Sequence, residues 1–260
     1  MADYWDYMRR WIMTKAGNLL GNIVMTTIIM VITCFAVRKD VFDLYEPTKA
    51  CLFAVLMCAI WSGLFNSIAL FYSERDYLPD DLSKFLRVRT YVAVNFTIQF
   101  VLCLAEAALS AIIFSLFFDY SSRGLFLGNS TADLTATFFL IMLSMDMLGL
   151  LVGMLIDSIT SIMTVIPVIL IAQMLLSGCL FELNVILEKI AVITTAHWGF
   201  YAFAAIADLN RLLPDGLKKD VYQHDARYVL YCWIFLILLT FICTFVSGIL
   251  LYVKVNRKDS

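Results

Sequence analysis

In "LFYSERDYLPDDLSKFLRVRTY", residues 70–91, the chain packs charge more densely than anywhere else along its length, half of residues 74–89 being charged. Glu74, Arg75, Asp76, Asp80, Asp81, Lys84, Arg87 and Arg89 all fall there. The rest of the sequence is apolar, and the whole chain has 62% hydrophobic and 15% charged residues with a mean hydropathy of +0.86. Soluble domains carry roughly a quarter charged residues. A chain this poor in polar side chains cannot coat a globule in water, and its solvent is a bilayer. An island of mixed charge between long apolar runs then reads as a water-exposed link between two membrane spans.

Working outward from that link, six stretches reach the ~20 apolar residues that a spanning helix needs. They are approximately 19–37, 50–72, 91–118, 134–156, 159–181 and 228–253. The runs are continuous, unlike the short alternating segments of a membrane barrel, so the fold class is all-α. Residues 1–260 form a single transmembrane domain of six helices. Asp157 to Ser161 is a tight turn that makes a hairpin of spans four and five. Residues 182–227 form a long segment on the opposite side from the charged link. Within it, "ILEKIAVITTAHWGFYAFAAIADL" (186–209) is broken by Glu188, Lys189 and His197, which predicts a re-entrant or short-helix segment rather than a seventh span.

Residues 1–17 predict an amphipathic helix before the first span. Tyr4, Trp5, Met8, Trp11 and Ile12 share one face, and Asp3, Asp6, Arg9 and Arg10 share the other. Such a helix lies in the membrane interface. The same N-terminus lacks the apolar core and cleavage site of a secretory leader. Six spans put both termini on one side. The Lys and Arg balance between the sides is nearly even and does not orient the chain by itself.

The composition excludes several classes. A net charge of −2 offers nothing to nucleic acid. No nucleotide-binding GxxxxGK[ST] is present, and His197 and His224 lack metal-ligand spacing. The seven cysteines sit mostly in apolar runs without a CxxC pair and read as small hydrophobes. Two acids do fall inside spans, Glu106 and Asp146, with Gln99 two turns before Glu106 on the same face. An acid at membrane depth faces a partner or water. Either it hydrogen-bonds neighbouring helices or it couples to a proton or a substrate. Small residues around Glu106, and Gly149 with Gly153, suit close helix packing.

The charged link has internal order. Pro79 marks a turn and a fresh helix start, with Asp80 and Asp81 at the positive end of its dipole. Lys84, Arg87 and Arg89 come toward the end where cations are favoured. Residues 74–89 are therefore expected to form a short helix at the membrane surface.

Taken in order, these elements resemble the transmembrane domain of type-2 ABC exporters, and the G subfamily of lipid and drug exporters in particular. The resemblance covers nearly the whole chain. It runs from the amphipathic segment through "FYSERDYLPDDLSKFLRVRTY", a long third span and a tight turn after the fourth. It continues with "LLSGCLFELN" (175–184) and the aromatic run "TTAHWGFYAFAAIADLN" (194–210) before the last span. An obvious external disulfide pair, frequent among eukaryotic members, is missing.

The resemblance implies a permease subunit that pairs with a second similar domain and is driven by an ATPase on another chain or another part of the protein. This chain would bind no cofactor, while ATP and Mg would sit in the ATPase domain. Glu74, Arg75, Asp76, Asp80, Asp81, Lys84 and Asp157 would contact that ATPase, residues 74–89 serving as a cytoplasmic coupling helix. Val55, Ser62, Phe65, Ile171 and Met174 would line a cavity at the dimer axis, below an extracellular plug of Cys179 and Leu180. An uncharged cavity with Phe and Met suits an amphipathic or lipid-like cargo. The termini would be cytoplasmic and the membrane the plasma (inner) membrane. The competing expectation is an ATP-independent secondary transporter or channel working through Glu106 and Asp146.

Overall fold

The structure, a computed structural model, describes residues 2–37, 41–74, 88–118, 124–156, 158–181 and 183–258. Its described residues form α-helices and 3-10 turns. In chain order the helices are α1 (Ala2–Ala36), α2 (Tyr45–Glu74), α3 (Val88–Phe117) and α4 (Ser130–Leu155). They continue with α5 (Ile159–Leu176), α6 (Val185–Ala191), α7 (Thr195–Ile206) and α8 (Ala226–Lys258). Five of them, α1, α2, α3, α4 and α8, are long and apolar enough to cross a membrane.

Helix α5 is shorter. Its 18 residues rise about 27 Å, just under the ~30 Å hydrocarbon core. The expected span to residue 181 ends early because Gly178 takes a left-handed backbone (φ +72°), which stops a helix and suits a residue without Cβ. A Cβ there would also press on the Tyr201 hydroxyl at 2.9 Å.

The N-terminal segment differs from expectation. Residues 2–36 are one unbroken helix, with no break separating an amphipathic piece from the first span. Its aromatic face is nonetheless used: Trp11 is buried with Val94 and Ile98 of α3, and Tyr4 donates to Thr97 Oγ1 at 2.8 Å. Tyr4, Tyr7 and Trp11 all meet residues 91–98 of α3, so the first turns of α1 cross α3 at one level.

Helix α4 is the hub. It is buried nearly all round, whereas α1 and α8 expose most of their apolar side chains, as helices bounded by lipid do. Helices α2 and α4 touch backbone to backbone. A Cβ at Gly63 would fall on the Met142 carbonyl, and one at Gly149 would lie 2.6 Å from the Leu64 carbonyl oxygen. The small residues set this close approach, as in other membrane helix pairs.

Between α5 and α8, residues 183–225 hold the short helices α6 and α7 and three 3-10 turns. Every residue of α7 is buried, packed against α2, α4 and α8. At the same end, Asp133 organises the approach to α4. Its Oδ2 accepts from the Leu125 and Phe126 amides at 2.6 and 3.1 Å, and its Oδ1 from Leu127 at 2.8 Å. At the other end of α4, Lys254 Nζ of α8 donates to the Met154 carbonyl at 2.5 Å, satisfying one of the acceptors that a helix C-terminus leaves open.

Candidate functional site

The close α2–α4 crossing creates a polar seam in the middle of the bundle. On α3, Asn95, Gln99, Cys103 and Glu106 follow at steps of four, four and three residues, which places them on one helical face. On α2, Ser62 and Asn66 are one turn apart and meet that face. Glu106 Oε2 accepts from Asn66 Nδ2 at 2.8 Å and from Ser62 Oγ at 3.2 Å. Ser62 in turn bonds to Thr26 of α1.

The neighbouring layer joins α2, α3 and α4. Ser67 donates to Asp146 Oδ1, Gln99 Nε2 reaches Ser67 Oγ at 3.4 Å, and Cys103 Sγ approaches Asp146 Oδ2 at 3.9 Å. Both acids are fully buried, and these partners are neutral hydroxyl, amide and thiol groups. The arrangement ties four helices together through side chains that lipid could not satisfy. Glu106 Oε1, Gln99 Oε1 and Asn95 Nδ2 are buried without a hydrogen-bond partner among the described residues.

Gln99 and Asp146 thus meet through Ser67, and Glu106 lies in the adjoining layer of the same seam. Thr26, Asn66 and Ser67 are members that the sequence reading did not single out. The available signal was the Ser62/Asn66 pair, one turn apart in an apolar run and matching the polar stripe of α3.

The residues assigned to the cargo cavity occupy different settings. Val55 lies in the hydrophobic core, and Ser62 is engaged in the seam. Phe65 is half-buried and stacks on Trp61, with ring centroids 4.7 Å apart. Ile171 is exposed on α5, and Met174 is half-buried. Cys179 is buried and Leu180 exposed. Both border a cavity of about 280 Å³ with Tyr45, Lys49 and Leu217 at the start of α2. Of the residues expected to meet an ATPase, Glu74 is the last residue of α2. Arg75, Asp76, Asp80, Asp81, Lys84 and Asp157 lie outside the described residues, as does most of the expected helix over 74–89.

Helix α7 is wired to its neighbours. Gln173 of α5 accepts from the Ala196 amide at 2.8 Å, occupying a free donor of the first α7 turn. Ser144 of α4 bonds to Thr195 at 2.9 Å. Trp198 donates from its indole to the Val192 carbonyl at 2.7 Å and stacks on Phe235 of α8, centroids 4.1 Å apart. His197 is enclosed by Trp198 and Tyr201, and burial pushes its pKa down to about 4. The ring is neutral at physiological pH.

An all-helical bundle with apolar spans and a buried interhelical polar seam defines an integral membrane domain. Comparison with known proteins makes the class definite. Residues 1–209 match the family described as ABC-2 type transporter, and the chain belongs to that family. It is therefore the permease type of domain, the membrane and non-catalytic part of an ABC transporter. Over 172 residues, 65% of this chain, it is 25% identical to the ABC transporter ATP-binding/permease protein Rv1747 of Mycobacterium tuberculosis. The matched stretch spans 20% of that protein's length.

Proposed function

We propose that this chain is the membrane half of an ATP-driven exporter of the G-subfamily kind, in which two such domains pair around a central path for a lipid-like or amphipathic cargo. The observation that carries this reading is the family match over residues 1–209, joined to a relative whose name combines ATP binding and permease in one protein. The ATPase, with its ATP and Mg, meets the charged stretch after α2 and the Asp157 turn after α4, on the cytoplasmic face of the plasma (inner) membrane. Helix α5 completes a sixth crossing, and both termini are cytoplasmic.

The test is reconstitution with the cognate ATPase in liposomes. Glu74→Ala and Arg75→Ala are expected to leave ATP hydrolysis running while cargo movement falls at least tenfold. Coupled transport at the wild-type rate in both variants sinks the reading. Proton- or ion-dependent flux through this chain alone, lost in Glu106→Gln and Asp146→Asn, would instead establish the ATP-independent alternative.

A further inference from the structure

On the outer surface, away from the polar seam, α3 and α8 diverge to leave an open groove of about 830 Å³. That volume is within the range of pockets that hold small ligands. Its walls are Phe96 of α3 and Phe245 and Ile249 of α8, its floor is opened by Gly248, and Arg89 and Tyr252 stand at one end. Phe245, Ile249, Tyr252 and Arg89 are all exposed.

The dimensions fit one leaflet. Lining residues run from Val88 to Thr97 on α3 and from Phe241 to Tyr252 on α8. At 1.5 Å per residue these are about 14 and 16 Å, against roughly 15 Å for half the hydrocarbon core. Away from Arg89 and Tyr252 the lining is mostly apolar, with Thr97 and Thr244 as its polar members. The mouth carries a guanidinium and an interfacial tyrosine.

We propose that this groove is a binding site for an anionic phospholipid of that leaflet. One acyl chain lies between Phe96 and Phe245, and the phosphate group rests on Arg89. Charge complementarity selects the occupant, because a zwitterionic lipid fits the apolar trough but gains less from the cation.

Gly248 supplies a clean probe. A Cβ there would lie 3.9 Å from Val92 Cγ2, an ordinary contact, so a side chain can start from this position toward the groove without a backbone clash at its first atom. Native mass spectrometry of the full chain with equal phosphatidylglycerol and phosphatidylcholine reads the preference directly. The wild type is expected to retain phosphatidylglycerol about fivefold over phosphatidylcholine, the factor one cation near the surface contributes. Arg89→Gln keeps bound lipid but loses the preference. Gly248→Leu loses bound lipid of both kinds, with an unchanged unfolding temperature reporting an intact fold. A wild type without headgroup preference, or a preference and occupancy that survive in either variant, overturns the proposal.

Discussion

Asn66 donates to Glu106 across the middle of the membrane domain, Nδ2 to Oε2 at 2.8 Å, and so ties α2 to α3 through a fully buried polar contact. The bond makes the acid an acceptor for helix packing. Glu106→Gln keeps an oxygen for Asn66 and Ser62 and is expected to shift thermal unfolding in detergent by only a few degrees. Glu106→Leu strands both donors and should destabilise by about 1–3 kcal/mol. Equal losses in the two variants would refute this assignment.

The α2–α4 contact predicts a sharp contrast among glycines. Gly63→Val drives a side chain into the Met142 carbonyl, where only backbone movement can relieve the clash. A cost of about 3 kcal/mol is expected, read as loss of monodisperse protein on size exclusion. Gly21 on α1 has nothing within 4 Å of its missing Cβ. Gly21→Ala should be neutral or stabilising by up to ~1 kcal/mol.

Gln173→Ala removes the acceptor that holds the first turn of α7. The expected penalty is about 1–2 kcal/mol, comparable to a lost helix cap. Because the bond anchors the segment between α5 and α8, protease cleavage within residues 182–227 should quicken. An unchanged cleavage rate would show that Ser144 and Trp198 hold α7 without it.

Asp133→Ala leaves the amides of Leu125, Phe126 and Leu127 without their shared acceptor. Loss of about 3 kcal/mol follows from three bonds to one carboxylate. Hydrogen exchange at those amides is the direct check, and it should accelerate before exchange in α2 does.

The spans were legible because apolar run length is written residue by residue: the structure's α2, α3, α4 and α8 overlap the expected segments within a few residues at most ends. The end of α5 was not, because a single left-handed residue, Gly178, stops a helix that the apolar pattern would carry on to 181. Nor was the continuity of α1, since the polar residues near Met1 suggest a change of direction that the backbone makes without breaking its hydrogen bonds. In the seam, acids inside spans announced themselves by cost, so Glu106 and Asp146 were found. Thr26, Asn66 and Ser67 were not, because hydroxyl and amide side chains are inexpensive in a helix and acquire meaning only when helices are placed side by side.

The glycine contacts of α2 and α4 have a mechanical reading as well as a packing one. Two helices locked carbonyl to backbone near their midpoints cannot slide past each other, and they behave as a single strut. At one end of that strut α2 stops at Glu74, just before the charged stretch, and α4 stops at Leu155, two residues before Asp157. On the function proposed above, a thrust delivered at either place would be shared by both helices and by α7, which rests against the same pair.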